Sequence, residues 1–129
     1  MPSPRLPLPR LWRLRKRREF LAVQGEGRRF SGAHYLFFVR RRSNLAPSHI
    51  VVAPPTRFGI TVTRKVGNAV TRNRIKRVVR EGFRHVAPGF PPGLDLVIVA
   101  KSSAVGDGRA EVEHELLQLV ARLGNGSRR

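Results

Sequence analysis

Residues 58–81 read Phe58-Gly-Ile-Thr-Val-Thr-Arg-Lys-Val-Gly-Asn-Ala-Val-Thr-Arg-Asn-Arg-Ile-Lys-Arg-Val-Val-Arg-Glu81, and the period of the pattern changes along the way. From 58 to 63 it is two: Phe58, Ile60 and Val62 face one way, Gly59, Thr61 and Thr63 the other, which predicts a half-buried strand. Gly67-Asn68 marks a turn. Thr71 can cap a helix running from 72 to about 86. At about 100° per residue, Ile75, Val78, Val79, Phe83 and Val86 share one side of that helix. Taking Arg72 as origin, Lys76 lies near ~40°, Arg80 near ~80°, Arg84 near ~120° and Arg77 near ~140°. Asn73 falls inside this stripe, whereas Arg74 and Glu81 stand apart from it. The stripe is roughly 18 Å long, enough to follow several phosphates. Solvated helix faces mix charge signs at i,i+4, but Arg72, Lys76, Arg80 and Arg84 are alike and repel by some tenths of a kcal/mol per pair. A polyanionic partner removes that conflict.

Outward from this segment the pattern predicts one small domain. Upstream, 16–24 is a short helix carrying Phe20 and Val23 on one side, ended by Gly25 and Gly27. Residues 28–42 are β-prone around Tyr35-Leu-Phe-Phe-Val39, and 43–56, with Asn44, Pro47, Pro54 and Pro55, is a loop. Downstream, 88–93 is a loop and 94–100 is an apolar run expected to be a strand buried on both faces. Val112, Leu116, Leu119, Val120 and Leu123 place a last helix over 111–123. The order α-β-β-α-β-α implies an α+β fold, an α/β sandwich whose small, mainly antiparallel sheet of about four strands carries three helices. Residues 1–13, with prolines at 2, 4, 7 and 9, are expected to form a basic flexible arm. The domain then spans 14–123, followed by a frayed tail over 124–129.

Composition narrows the partner. The 129 residues hold 26 Lys and Arg against 8 Asp and Glu, a net charge of +18. Such an imbalance calls for a polyanion. Arginine outnumbers lysine, whose only positions are Lys16, Lys65, Lys76 and Lys101. Codon usage explains part of that bias and not the shortage of acids; arginine forks onto phosphate and stacks on bases. With no cysteine, a disulfide-stapled module and a thiolate zinc site are excluded. No apolar run suffices to cross a bilayer, no long basic amphipathic helix carries Trp and Leu, and the proline-broken start is no signal peptide. A cytoplasmic protein with no membrane partner is expected.

Protein-borne phosphodiester hydrolysis calls for converging carboxylates or a His/Lys acid–base pair. Asp95 and Asp107 are the two aspartates, Glu111, Glu113 and Glu115 point to different helix faces, and His34, His49, His85 and His114 have no ligand spacing. No protein catalytic residue and no protein metal site is predicted. A DNA-binding module is disfavoured because no helix-turn-helix or dimer element accompanies the basic helix. A structural RNA-binding protein of the ribosomal type would share the size and charge.

The Arg-Asn-Arg-x-Lys-Arg core at 72–77, preceded by Arg64-Lys65 and Gly67-Asn68, resembles the signature of the bacterial ribonuclease P protein component. The likeness runs from about Leu14 to Leu123. It implies a fold like domain 2 of ribosomal protein S5, with a left-handed βαβ crossover at the signature helix. It also implies an accessory subunit of an endoribonuclease whose RNA carries the chemistry, with Mg²⁺ held mainly by that RNA. The expected partners are the ribonuclease P catalytic RNA and precursor tRNA, whose 5′ leader is removed. On this resemblance Arg72, Asn73, Arg74, Lys76, Arg77 and Arg80 contact the catalytic RNA, joined by Arg64 and Lys65, and Lys65 also helps hold the leader. The resemblance further implies a leader cleft between the sheet and the first helix. Strand parity picks its face: Leu36, Phe38, Arg40 and Arg42 on one side, Tyr35, Phe37, Val39 and Arg41 on the other. The set ending in arginines is the wetter one and is expected to sit beside Thr61 and Thr63, with Phe38 either stacking on bases or serving as core. Phe20 matches a cleft aromatic of the family by position. Gln24 stands where the family usually has a second aromatic, so leader stacking is expected to be weaker or replaced by a hydrogen bond.

Overall fold

In a computed structural model, residues 13–14, 16–41 and 56–126 are described, with side chains to 123. Residues 1–12, 15, 42–55 and 127–129 lie outside that description, and with them Arg42 and nearly all of the arm and of the 43–56 loop expected from the sequence. The elements are α1 (Arg17–Glu26), β1 (Arg28–Ser31), β2 (Tyr35–Arg41), β3 (Arg57–Thr61), α2 (Ala69–Val86), β4 (Leu94–Ala100) and α3 (Arg109–Gly126). The strands form a mixed sheet in the order β1-β2-β4-β3, in which β1–β2 and β2–β4 are antiparallel and β3–β4 is parallel. Helix α2 is thus the crossover between two neighbouring parallel strands.

Three expectations are corrected by this arrangement. The stretch expected as one β segment is a hairpin, because Gly32, Ala33 and His34 turn the chain back and Gly32 N–H donates to Tyr35 O at 2.8 Å. Helix α2 starts earlier than Arg72, and its cap is Asn68, whose side-chain oxygen accepts from Thr71 N at 2.9 Å. The alternating strand stops at Thr61; Thr63 instead accepts from Val66 N–H at 3.1 Å in the following turn.

Alternation along β2 and β4 divides the apolar side chains between two cores. Tyr35, Phe37, Val39, Leu96, Ile98 and Ala100 face α2 and α3, meeting Ile75, Val79, Phe83, Val112, Leu116 and Leu119. Phe58 and Phe83 stack with centroids 4.3 Å apart. The two helices approach closely at Gly82, where a Cβ would stand 2.7 Å from a Val112 methyl carbon. Each fully buried aliphatic or aromatic side chain in this layer contributes about 1.5–3 kcal/mol. The opposite face carries a smaller core of Leu14, Val23 and Val97, packed by Phe20, Phe38 and Val99, with α1 laid across β2 and β4. Strand β4 therefore has cover on both sides, as its apolar run requires.

Arg13, read with the arm from the sequence, belongs to the sheet edge. It bridges in parallel to Phe58, and Leu14 N–H donates to Phe58 O at 2.8 Å along the outer side of β3.

Candidate nucleic-acid interface

Helix α2 turns its apolar side into the larger core, so its cations point outward. Asn73, Arg74, Arg77 and Arg80 are exposed, while Arg72 and Lys76 are half-buried at their stems. Arg72 Nε donates to Gly67 O at 3.1 Å, which fixes its guanidinium beside the turn that starts the helix. Among the described residues no carboxylate lies within ion-pair distance of Arg72, Arg74, Lys76, Arg77 or Arg80. Arg84, at the far end of the stripe, is engaged within the chain and does not belong to this unpaired set. The first turn of α2 carries no acid, so the helix dipole adds positive potential where Arg72 and Arg74 already stand. Arg64 and Lys65 are exposed in the turn leading into the helix.

The second surface is the sheet face beneath α1. Register sorts it into rows: Ser31–Leu36–Val99–Thr61, then Arg29–Phe38–Val97–Gly59, then Arg40–Asp95–Arg57. Leu36, Phe38 and Arg40 do share the wetter face, and Phe37 and Val39 are buried on the other. Thr61 lies on the same face but not beside β2, since β4 runs between them. Thr63 is exposed in the turn beyond β3, off the sheet face. Phe38 is half-buried and packs against the smaller core, so it serves as floor and core together. Phe20 and Gln24 are half-buried on α1. The Phe20 ring packs against the strand at Gly59, where a Cβ would come 2.3 Å from its Cζ.

Arg40 also has partners within the chain. It shares a row with Asp95, a fully buried carboxylate one residue into β4, and donates to Asp95 Oδ2 at 3.3 Å and to Glu26 Oε1 at 3.2 Å. From the other side Arg57 grips Asp95 bidentately, Nε to Oδ1 at 2.9 Å and Nη2 to Oδ2 at 3.0 Å, and reaches Glu19 Oε2 at 3.2 Å. The hydrogen bonding of its guanidinium to Asp95 is the leading cause that pushes the Arg57 pKa further up. Glu19 and Glu26 both belong to α1, so this network latches the helix over one end of the face. Among the described residues the Leu36–Thr61 end carries no such latch.

Sequence reading missed Arg57 as the partner of Asp95, and it missed Arg29, Ser31 and Arg13. One signal was in view: a lone aspartate inside an apolar strand must find a cation. The β1 pair stayed hidden behind the unread hairpin. Glu111, Glu113 and Glu115 separate as expected: Glu111 is exposed, Glu113 pairs with Arg109 at 2.8 Å, and Glu115 accepts from His34 N at 2.8 Å. Among the described residues no three His, Asp or Glu side chains gather as a metal-holding group, and no helix is long and apolar enough to cross a membrane.

Comparison with known proteins matches this geometry to one group. A sequence profile described as ribonuclease P covers residues 8–124. A ribonuclease P protein component of a Cyanothece species is 40% identical over 122 residues, spanning 88% of this chain and 93% of the relative. That of Syntrophus aciditrophicus is 37% identical over 118 residues, 92% of each. Among solved structures, the ribonuclease P protein from Thermotoga maritima superposes with a TM-score of 0.70 at 32% identity, covering 85% of this chain and 96% of that one.

Proposed function

Because the chain belongs to the ribonuclease P protein family, we propose that its unpaired helix cations hold the catalytic RNA of that enzyme while its sheet face holds the precursor tRNA leader. The chain is the accessory protein subunit of an endoribonuclease whose chemistry is carried by RNA, in tRNA 5′-end maturation. The observation that carries the RNA-binding assignment is the row Arg72, Lys76, Arg80 with Arg74 and Arg77, which has no carboxylate partner among the described residues while the apolar side of α2 is anchored in the core. An anionic chain that tracks this row releases counter-ions and gains affinity that depends steeply on salt.

Leader binding is supported by the open Leu36–Thr61 end of the sheet, by the half-exposed Phe38 floor and by Phe20 and Gln24 on α1. Arg64 and Lys65, on the turn between the two surfaces, extend the cationic path. Mg²⁺ belongs to the RNA in this proposal. The carboxylates nearest the sheet face, Asp95, Glu19 and Glu26, are each held by Arg40 or Arg57 and form no free donor set. The site of action is the cytoplasm, with RNA and not DNA or membrane as partner.

Reconstitution tests the proposal. Purified protein alone leaves precursor tRNA intact, and addition of a ribonuclease P RNA with Mg²⁺ gives 5′-matured tRNA at physiological salt, faster than the RNA alone. Equal cleavage by RNA-free protein, or no gain over the RNA alone, overturns it. With about five phosphates neutralised, affinity for the catalytic RNA falls roughly a hundredfold between about 50 and 200 mM salt.

A further inference from the structure

Asp95 and Glu115 are the two buried acidic side chains among the described residues, and their surroundings differ. Asp95 is gripped by Arg40 and Arg57. Glu115, on α3 and 4% exposed, accepts the His34 N–H on Oε2 at 2.8 Å and has no cation within ion-pair distance among the described residues. Its Oε1 is enclosed and meets no hydrogen-bond donor. Cations stand close by but are turned to the hairpin backbone. Lys101 Nζ donates to Gly32 O at 2.6 Å and to Ser31 Oγ at 2.9 Å, and Arg122 donates to Ser31 O at 3.3 Å with its guanidinium over the Phe30 ring. Burial, and then the negative charges of Asp107, Glu115 and Glu111, push the pKa of the neighbouring Tyr35 phenol up, with Arg74 the lesser opposing charge. This corner is therefore negative inside a strongly cationic molecule.

The unmatched carboxylate stands in the wall of a cavity of about 350 Å³ between the β1–β2 hairpin and α3, lined also by Ser31, Gly32, Phe37, Leu119 and Arg122. Oε1 lies against Gly32, where a Cβ would collide with it. A buried carboxylate oxygen without a donor is unfavourable, and a charged N–H donor is its strongest complement. Phe37 and Leu119 add apolar surface for the body that carries the donor. We propose that this cavity binds a primary alkylammonium ion, with its ammonium on Glu115 Oε1 and its hydrocarbon chain along Phe37 and Leu119. Arg122 and Lys101 disfavour a second positive charge on the same ligand, so a monoamine is preferred to a diamine. The site contains none of the residues assigned above to RNA and does not depend on the ribonuclease P reading.

The test unfolds the full chain, wild type and E115Q, in urea near neutral pH at fixed ionic strength, with pentylamine, diaminopentane or pentanol added. With a Kd of about 1 mM, pentylammonium at about 10 mM lowers the wild-type unfolding constant about tenfold. Diaminopentane and the uncharged pentanol lower it less than about twofold at the same concentration. E115Q loses the response to pentylammonium, because a neutral amide attracts the cation far less than a carboxylate does. A second measurement needs no variant and so decides the matter even if E115Q folds poorly: in amide NMR of the folded wild-type chain, pentylammonium shifts the signals of Gly32, His34 and Leu119. No stabilisation of the wild type, equal stabilisation of E115Q, or an equal effect of pentanol or diaminopentane overturns the proposal. Shifts that spare those three residues overturn it as well.

Discussion

Arg40 and Arg57 on the sheet and Arg74, Arg77 and Arg80 on α2 are the same residue type in opposite circumstances. The first two converge on Asp95, whose side chain is fully buried, and each also reaches a glutamate of α1. The other three face outward with no carboxylate among the described residues to meet them. A net charge of +18 spread evenly would make every arginine look like a ligand contact; the fold instead divides them into a latch and a grip. The difference follows from register. Arg40, Asp95 and Arg57 are forced into one row by the β2–β4 and β4–β3 pairings, whereas the i,i+4 repeat on α2 places like charges side by side.

Removing the acid at the centre of the latch has the largest expected effect. Asp95→Ala leaves two guanidiniums without their buried partner and costs about 3–5 kcal/mol of stability, read from urea unfolding. A loss under about 1 kcal/mol would mean the latch is solvated and the contrast with α2 is false. Next comes the grip: the triple variant Arg72→Ala, Lys76→Ala, Arg80→Ala weakens catalytic-RNA binding on the order of fiftyfold near 0.15 M salt and lowers the salt slope by about two to three. Its unfolding free energy stays within about 0.5 kcal/mol of wild type, since all three side chains lie off the core. Unfolding measured at low and high salt sharpens the same contrast, because the buried latch is screened far less than RNA binding is. The smallest effect is expected from Gly59→Ala, whose methyl must displace the Phe20 ring. It costs about 1–3 kcal/mol of stability. It also weakens binding of leader-bearing precursor while leaving the affinity for the catalytic RNA unchanged.

Much of this was legible beforehand because short-range periodicity carries it. The strand–turn–helix at 58–81, the doubly covered β4 and the face shared by Leu36, Phe38 and Arg40 all follow from spacing alone. What escaped depends on pairings between distant residues. The partner of Asp95 is 38 positions away in sequence, so no local pattern reports it. The hairpin at Gly32 was passed over because the β-prone residues on either side run on without a proline or an Asn-Gly turn. Thr63 left the sheet because the chain begins its turn toward α2 one residue after Val62, which alternation cannot show. Arg13 looked like part of the arm, since an isolated bridge to a strand edge leaves no trace in composition.

The place of α2 in the connectivity has a bearing on synthesis. An 18-residue helix with like charges a turn apart is marginal alone, and its buried side rests on β4 and on Val112 of α3, both of which follow it in the chain. A ribosome that has just released residue 86 has therefore made every cation of the grip and its Phe58 prop from β3, while β4 and α3, which complete the support, are still to come. The grip therefore gains its full packing only when the last helix docks against Gly82 and its neighbours.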